Sequence, residues 1–396
     1  MAREGEAAGL PVSRREFLIG AGVGMAVAEA PRIAKVEVLP FSYPIRGHFK
    51  FFTKPERPSA LIKITCEDGA FGWGQSAPSP SWSYETPESV LSTIEQYLAP
   101  VLMGRDPFDI QGAHALMNRA IAGSFSTGMP IAKAGIDLAL HDLTGRLLKQ
   151  SLAERWGRKA LARLTLSWTV NPASLDETEQ LVEQGRALGY KNFNVKVAPD
   201  PKFDIEMCRR VRKLAPDCFL WADANGGYDE TTALDVAPKL ADAGVNILEQ
   251  PLPANRLSGY RELKKQGALP ILMDEGVVSS VELVEFIRLG LLDGVAMKPA
   301  RTAGLLEARK QIEILLNEGL LFLGSGLTDP DVALAAAVQL YAAYGLKYPA
   351  ALNGPQFLSG TCLRRALVVR DGEIEVPSGP GLGVEVDEQR VRKGAA

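Results

Sequence analysis

The stretch "NFNVKV" (Asn192–Val197) is a short apolar run closed by a lysine, and the reason for that lysine decides how the chain is read. Phe193 and Val195 alternate with polar residues as in a strand, while Lys196 brings an ammonium group to its end. Such a group must reach water, find a partner or be used. Working outward, "LTLSWTV" (164–170) precedes the run. "FLWADAN" (219–225), "NILEQP" (246–251), "ILMDEG" (271–276), "GVAMKPA" (294–300), "LFLGSG" (321–326) and "AALNGP" (350–355) follow it, separated by amphipathic segments of helix length. Eight runs in this rhythm predict a parallel (β/α) barrel. Five of them end in a charge: Lys196, Asp223, Glu249, Asp274 and Lys298, spaced 27, 26, 25 and 24 residues apart. Each spacing is one strand plus one helix. All five side chains are therefore expected at one height, the C-terminal mouth where barrel enzymes place their chemistry.

The remaining sequence frames this unit. From Ala34 to about Ala70 the pattern is strand-like, and in "IAKAGIDLALHDLTGRLLKQ" Ile136, Leu140, Leu143 and Leu147 form one apolar helical stripe. The spacing predicts a leader over 1–31, an α+β section over 32–160, the barrel over 161–355, and a tail over 356–396 that returns to the first section. A composition of 46% hydrophobic and 23% charged residues with a net charge of -3 gives no footprint for nucleic acid. No apolar stretch approaches the roughly 20 residues that span a membrane. Four cysteines without a CxxC pair suggest no disulfide framework, and three histidines leave little for a histidine zinc site. In the leader, Arg14-Arg15 precede an apolar segment from Phe17 to Val27 and two A-x-A sites, a pattern similar to a twin-arginine export signal. Export of the folded chain is the expectation, with a cytoplasmic location as the alternative. Ile19 departs from the usual pattern, which favours lysine there.

Three carboxylates converging at a barrel mouth repel one another unless a cation lies between them. Oxygen ligands from Asp223, Glu249 and Asp274, without Cys or His, point to Mg²⁺. A divalent ion and a neighbouring ammonium also favour a neutral amine, which would bring Lys196 or Lys298 towards the working pH. Asn225, Gln250 and Glu275 sit beside the acids and could orient them.

These residues resemble the enolase superfamily, specifically its muconate lactonizing enzyme subgroup. The resemblance rests on "NVKV", "WADANGGY", "ILEQPL", "ILMDEG" and "VAMKPARTAGL", together with "GWGQSAPSPSWSYETPESV", "LMGRDPFDI" and "AKAGIDLALHDLTG" in the first section. It implies an α/β fold: a (β/α)₇β TIM-like barrel with an α+β capping domain built from the N-terminal section and the tail. It further implies Mg²⁺ on Asp223, Glu249 and Asp274, Lys196 and Lys298 facing a carboxylate substrate from opposite sides, and a homo-oligomer. Proton abstraction α to that carboxylate would pass through an enediolate. The sequence departs from the family at Asn194, where a lysine is usual, and at Gln75, where glutamate is common. "LFLGSGLTD" lacks the histidine of the mandelate racemase branch.

Two bases on opposite faces permit a racemase or epimerase of an N-substituted amino acid or related carboxylate, the first expectation. A cycloisomerase or dehydratase running β-elimination is the alternative, and an exported carboxylate-binding protein without catalysis a remote one. "AALNGPQFL", which places Asn353 near the substrate, lacks the acidic pair that dipeptide epimerases show, and "NGPQFL" is loosely similar to muconate cycloisomerases. Phe49, Phe51 and Phe52 could cover an apolar substrate part or pack the cap. Arg301 could meet a second carboxylate or make a salt bridge at a helix start.

Overall fold

A computed structural model of the chain describes residues 31–394 apart from His48, Lys50, Thr53 and Phe125, so the leader with Arg14 and Arg15 lies outside the described residues. Three antiparallel strands open the fold: β1 (Ile33–Pro44), β2 (Glu56–Cys66) and β3 (Phe71–Ser76), in the order β1-β2-β3. The β2–β3 turn uses Asp68, whose side chain accepts the Ala70 N–H, and Gly69 at φ +85°.

The helix Pro130–Leu148 lies on β3. The predicted stripe is only one side of it, because residues 130–145 are buried on every face. Small residues make this possible: a Cβ on Gly74 would run into the Gly135 carbonyl, and one on Gly72 into the backbone of Leu143. A helix sandwiched between a sheet and a barrel has no polar face to show, so amphipathic patterning understates its burial.

The first predicted barrel run divides at Leu166 between two sheets. β4 (Arg163–Thr165) pairs outside the barrel, whereas β5 (Ser167–Val170) enters it. Parallel strands β6 (Asn192–Lys196), β7 (Leu220–Asp223), β8 (Ile247–Glu249), β9 (Ile271–Met273), β10 (Gly294–Met297) and β11 (Leu321–Gly324) follow in spatial sequence. The eighth run forms no strand of its own. Ala350 bridges Leu166 and Ala351 bridges Ser325, which joins the two edges of the seven-stranded sheet. The tail supplies β12 (Val369–Arg370), which pairs with β13 (Glu373–Glu375), and β13 pairs with β4; its later residues reach the first section through Lys63–Glu388 and Arg392–Glu37 ion pairs. No described helix is long and apolar enough to cross a membrane.

Side-chain alternation positions the site. Phe193, Val195, Leu220, Ala222 and Leu248 join the large core between strands and helices. Trp221, Ile247, Leu272, Ala296 and Leu323 form a separate cluster one step below the charged residues. Lys196, Asp223 and Glu249 are paired directly across β6, β7 and β8, but the partner of Glu249 is Leu272, and Asp274 stands two residues on. The stagger that closes a barrel produces this step, so equal height at the mouth is not equal register. Gly74→Ala should destabilise the fold by roughly 2 kcal/mol or more through overpacking against the helix; a urea midpoint equal to wild type would contradict this close approach.

Candidate active site

Lys196, Asp223 and Glu249 end β6, β7 and β8, and Asp274 and Lys298 follow directly on β9 and β10. Five adjacent strands thus present the order Lys, Asp, Glu, Asp, Lys. Lys196 Nζ donates to Asp223 Oδ2, and Lys298 Nζ donates to Asp274 Oδ2. Glu249 stands between these pairs, 1% exposed, with its Oε1 buried and without a hydrogen-bond partner.

The charges act on one another as burial dictates. Burial, reinforced by Asp223 and Asp274, pushes the Glu249 carboxyl well above the usual carboxylate range. Asp274 feels the same burial, but the Lys298 ammonium and Arg301 guanidinium outweigh it and hold Asp274 low. For Lys298, burial pulls the ammonium down, yet Asp274, Glu249 and Glu275 overcome it and raise the group. In the metal-free chain this opposes the lowering expected beside a divalent ion. Burial and the Asp274 and Asp223 carboxylates bring Glu275 to about 7.

A cavity of about 40 Å³ opens on this row, room for a few waters. Lys196, Asp223, Glu249, Lys298, Asn194, Asn225 and Asn353 all line it. Asn194 Nδ2, Asn225 Oδ1 and Asn353 Oδ1 are buried and unpartnered, while Asn353 Nδ2 faces Thr169 Oγ1 at 3.4 Å. Phe49, Phe51, Phe52, Trp82 and Leu327 complete the wall. Phe49 stacks on Phe357 at 4.6 Å, and Lys298 Nζ lies 4.8 Å from the Trp82 ring centroid. Sequence reasoning missed Trp82, since nothing local distinguishes it from a packed cap residue.

Asp274, Gln250, Glu275 and Arg301 stand behind this wall. Arg301, 2% exposed, donates to Asp274 Oδ1 and to Ala296 O at 2.9 Å, so of its two readings the structure has the internal salt bridge. Gln250 sits at φ +39° directly after Glu249. Its amide oxygen accepts the backbone N–H groups of Asp274 (2.8 Å) and Gly276 (3.2 Å), and its nitrogen donates to Tyr260 Oη and Leu252 O. Asn225, at φ +46°, donates its backbone N–H to Asp223 Oδ1 (2.9 Å) and its side-chain amide to Glu275 Oε1 (3.2 Å). These two strained residues set the orientation of the flanking acids.

The chain matches two family models in tandem. Residues 33–157 match "Mandelate racemase / muconate lactonizing enzyme, N-terminal domain", and residues 175–390 match "Enolase C-terminal domain-like". A chloromuconate cycloisomerase of Cupriavidus necator is 33% identical over 86% of this chain and 92% of its own length. The chain belongs to the muconate lactonizing enzyme subgroup of the enolase superfamily. Muconate cycloisomerase 1 of Rhodococcus opacus is 28% identical over 91% of the chain and 97% of the relative. The crystal structure of 2-chloromuconate cycloisomerase from Rhodococcus opacus 1CP superposes with a TM-score of 0.84 at 28% identity, covering 92% and 99% of the two chains. That of the Pseudomonas fluorescens muconate lactonizing enzyme with muconolactone shares the fold with a TM-score of 0.85 at 24% identity, covering 92% and 99%. This enolase-superfamily chain is an enzyme, which removes the non-catalytic binding protein from consideration.

The superfamily implies a divalent metal, and the residues fit one in two respects: the donors are carboxylate oxygens alone, and Glu249 keeps a buried oxygen without a partner. Among the described residues, however, no three acidic, His or Cys side chains are already gathered around a common point. Asp223 and Asp274 each give one oxygen to Lys196 and Lys298, respectively. Because Asp274 compensates both Lys298 and Arg301, Asp274→Asn should cost about 3–5 kcal/mol in the metal-free protein. Urea unfolding of the two proteins measures this, and a loss below about 1 kcal/mol would show that the pairing carries little stability.

Proposed function

We propose that this enzyme is a cycloisomerase that moves a proton at the carbon α to a substrate carboxylate while a C–O bond forms or breaks at the β-carbon. The supporting observation is the row across five strands, with a lysine at each end and both lysines lining one cavity. The two-base geometry also permits the racemase first expected from the sequence. The relatives above are named cycloisomerases, however, and they favour the alternative.

Asp223, Glu249 and Asp274 would hold Mg²⁺, which when bound neutralises the substrate carboxylate and the negative charge that builds on it. Lys196 is assigned the proton transfer. In ring closure a carboxylate oxygen of an unsaturated diacid bonds to the β-carbon, the C=C pair moves to the α-carbon, and the Lys196 ammonium supplies the proton that completes the α C–H bond. In the reverse direction its free amine removes that proton and the carboxylate departs. Lys298, on the opposite side and more deeply buried, keeps its proton and donates hydrogen bonds to the substrate carboxylate. Phe49, Phe51, Phe52 and Trp82 exclude water from the reacting end.

The reading is tested by proton NMR in D₂O with Mg²⁺ and a panel of muconate, chloromuconate, muconolactone and N-acyl amino acids. Interconversion of lactone and diene with deuterium at the α-carbon is expected. Exchange of an N-acyl amino acid with its skeleton unchanged, and an inert lactone, would restore the racemase. Lys196→Ala should lower kcat by about 10³-fold, and wild-type turnover in that variant would remove it as the proton carrier. Mg²⁺ at about a hundred times its Kd should stabilise the wild type by about 2.7 kcal/mol. In Glu249→Gln that thermal shift should vanish, and an equal shift in both proteins would place the ion elsewhere.

We also propose export, supported by the Arg14-Arg15 leader pattern. Replacing both arginines with lysine should retain the protein in the cytoplasmic fraction; unchanged distribution would reject the signal.

A further inference from the structure

Arg57, on β2 of the cap, is 2% exposed, yet its hydrogen bonds go to backbone carbonyl oxygens. Its guanidinium donates to Ala77 O (2.8 Å) and Pro78 O, just before the segment that carries Ser79 and Trp82, and to Leu327 O (3.0 Å) in the loop after β11. Its carbon lies 5.8 Å from the Phe52 ring centroid. Ser79, Trp82, Leu327 and Phe52 all line the active-site cavity. Three wall segments, distant in sequence, thus meet at one side chain that does not itself line that cavity. The loop it grips is strained: Thr328, a β-branched residue, sits at φ +53°. Two residues beyond Leu327, Asp329 is buried with Oδ2 without a hydrogen-bond partner, and its carboxylate and the Arg57 guanidinium attract each other.

Burying a guanidinium is costly, and its carbonyl partners and the nearby Asp329 carboxylate are in turn left uncompensated without it. What an apolar side chain cannot do is hold several carbonyls in a fixed plane. A lysine, with a compact ammonium on a flexible stem, cannot reproduce that fork either.

We propose that Arg57 is a positioning residue for catalysis: its planar guanidinium fixes the aromatic cover, the Ala77–Trp82 segment and the Leu327–Thr328 loop as one wall against which the substrate is held. Arg57 touches neither lysine nor the acid row in this arrangement. Its loss therefore weakens substrate binding more than proton transfer. The kinetic part rests on the function proposed above; the structural part does not.

The test uses the full chain with Arg57→Met and Arg57→Lys. Hydrogen–deuterium exchange should accelerate together in residues 46–54, 77–82 and 325–329 of Arg57→Met, with the thermal midpoint lowered because buried carbonyls and the Asp329 carboxylate lose their partner. On whichever compound of the panel turns over, KM should rise about tenfold in both variants while kcat changes less than about threefold. Unchanged exchange in the three segments overturns the proposal. So does a lowered midpoint with unchanged KM, which marks a purely structural residue, or a wild-type KM in Arg57→Lys, which shows that charge alone suffices. If Arg57→Met fails to fold, Arg57→Lys carries both measurements. If no compound turns over, the cycloisomerase reading fails, and the exchange data still decide the role of Arg57.

Discussion

The structure depends on mutual compensation of charge at the barrel mouth. Asp223, Glu249, Asp274 and Glu275 stand with Lys196, Lys298 and Arg301 largely shielded from solvent. Each charge alone would cost several kcal/mol to bury. Together they are tolerable because five strand ends deliver them side by side. The balance is incomplete at Glu249 and Glu275, each of which keeps a buried carboxylate oxygen without a hydrogen-bond partner. Catalytic potential and instability are here the same fact, viewed from two sides.

The cap is joined to the barrel by the same kind of chemistry. Asp137, on the central helix, accepts from the His114 ring at 2.8 Å and caps the backbone of Leu305, where the helix after Lys298 begins. Asp142, one turn further along, accepts from Trp73 N and Leu382 N, binding β3 and the tail to one carboxylate. Glu85 receives the Ile131 and Ala132 N–H groups at the helix start. Each acid satisfies backbone donors that would otherwise be orphaned inside the molecule. Arg57 is the basic counterpart, satisfying carbonyls.

Legibility in the sequence followed the reach of each signal. Strand alternation and strand-plus-helix spacing act locally and repeat, so the barrel and the order of its five charges could be read without coordinates. Leu166, where one apolar run serves two sheets, carries no local mark, because both sheets want the same residue types. The bridges of Ala350 and Ala351 were invisible for the opposite reason: a segment paired through single residues looks like any apolar run. Arg301 could be narrowed to two partners but not assigned, since Asp274 and a substrate carboxylate ask the same thing of a guanidinium. Arg57 could not be read at all. Its partners are main-chain oxygens, which every residue has.

The two ends of the described chain meet. Ser42 N–H donates to Gly394 O, Lys63 pairs with Glu388, and Gln75 receives the Val332 and Ala333 N–H groups. Synthesis runs from one end to the other, so β1–β3 emerge hundreds of residues before the partners that complete them. The barrel strands can find their neighbours in order of appearance, whereas the contacts of Ser42, Lys63 and Gln75 form only once residues 332–394 have been made. Assembly of this enzyme is therefore circular in space while its synthesis is linear in time. The interval between the two is when its β1 edge stands open to the wrong partner.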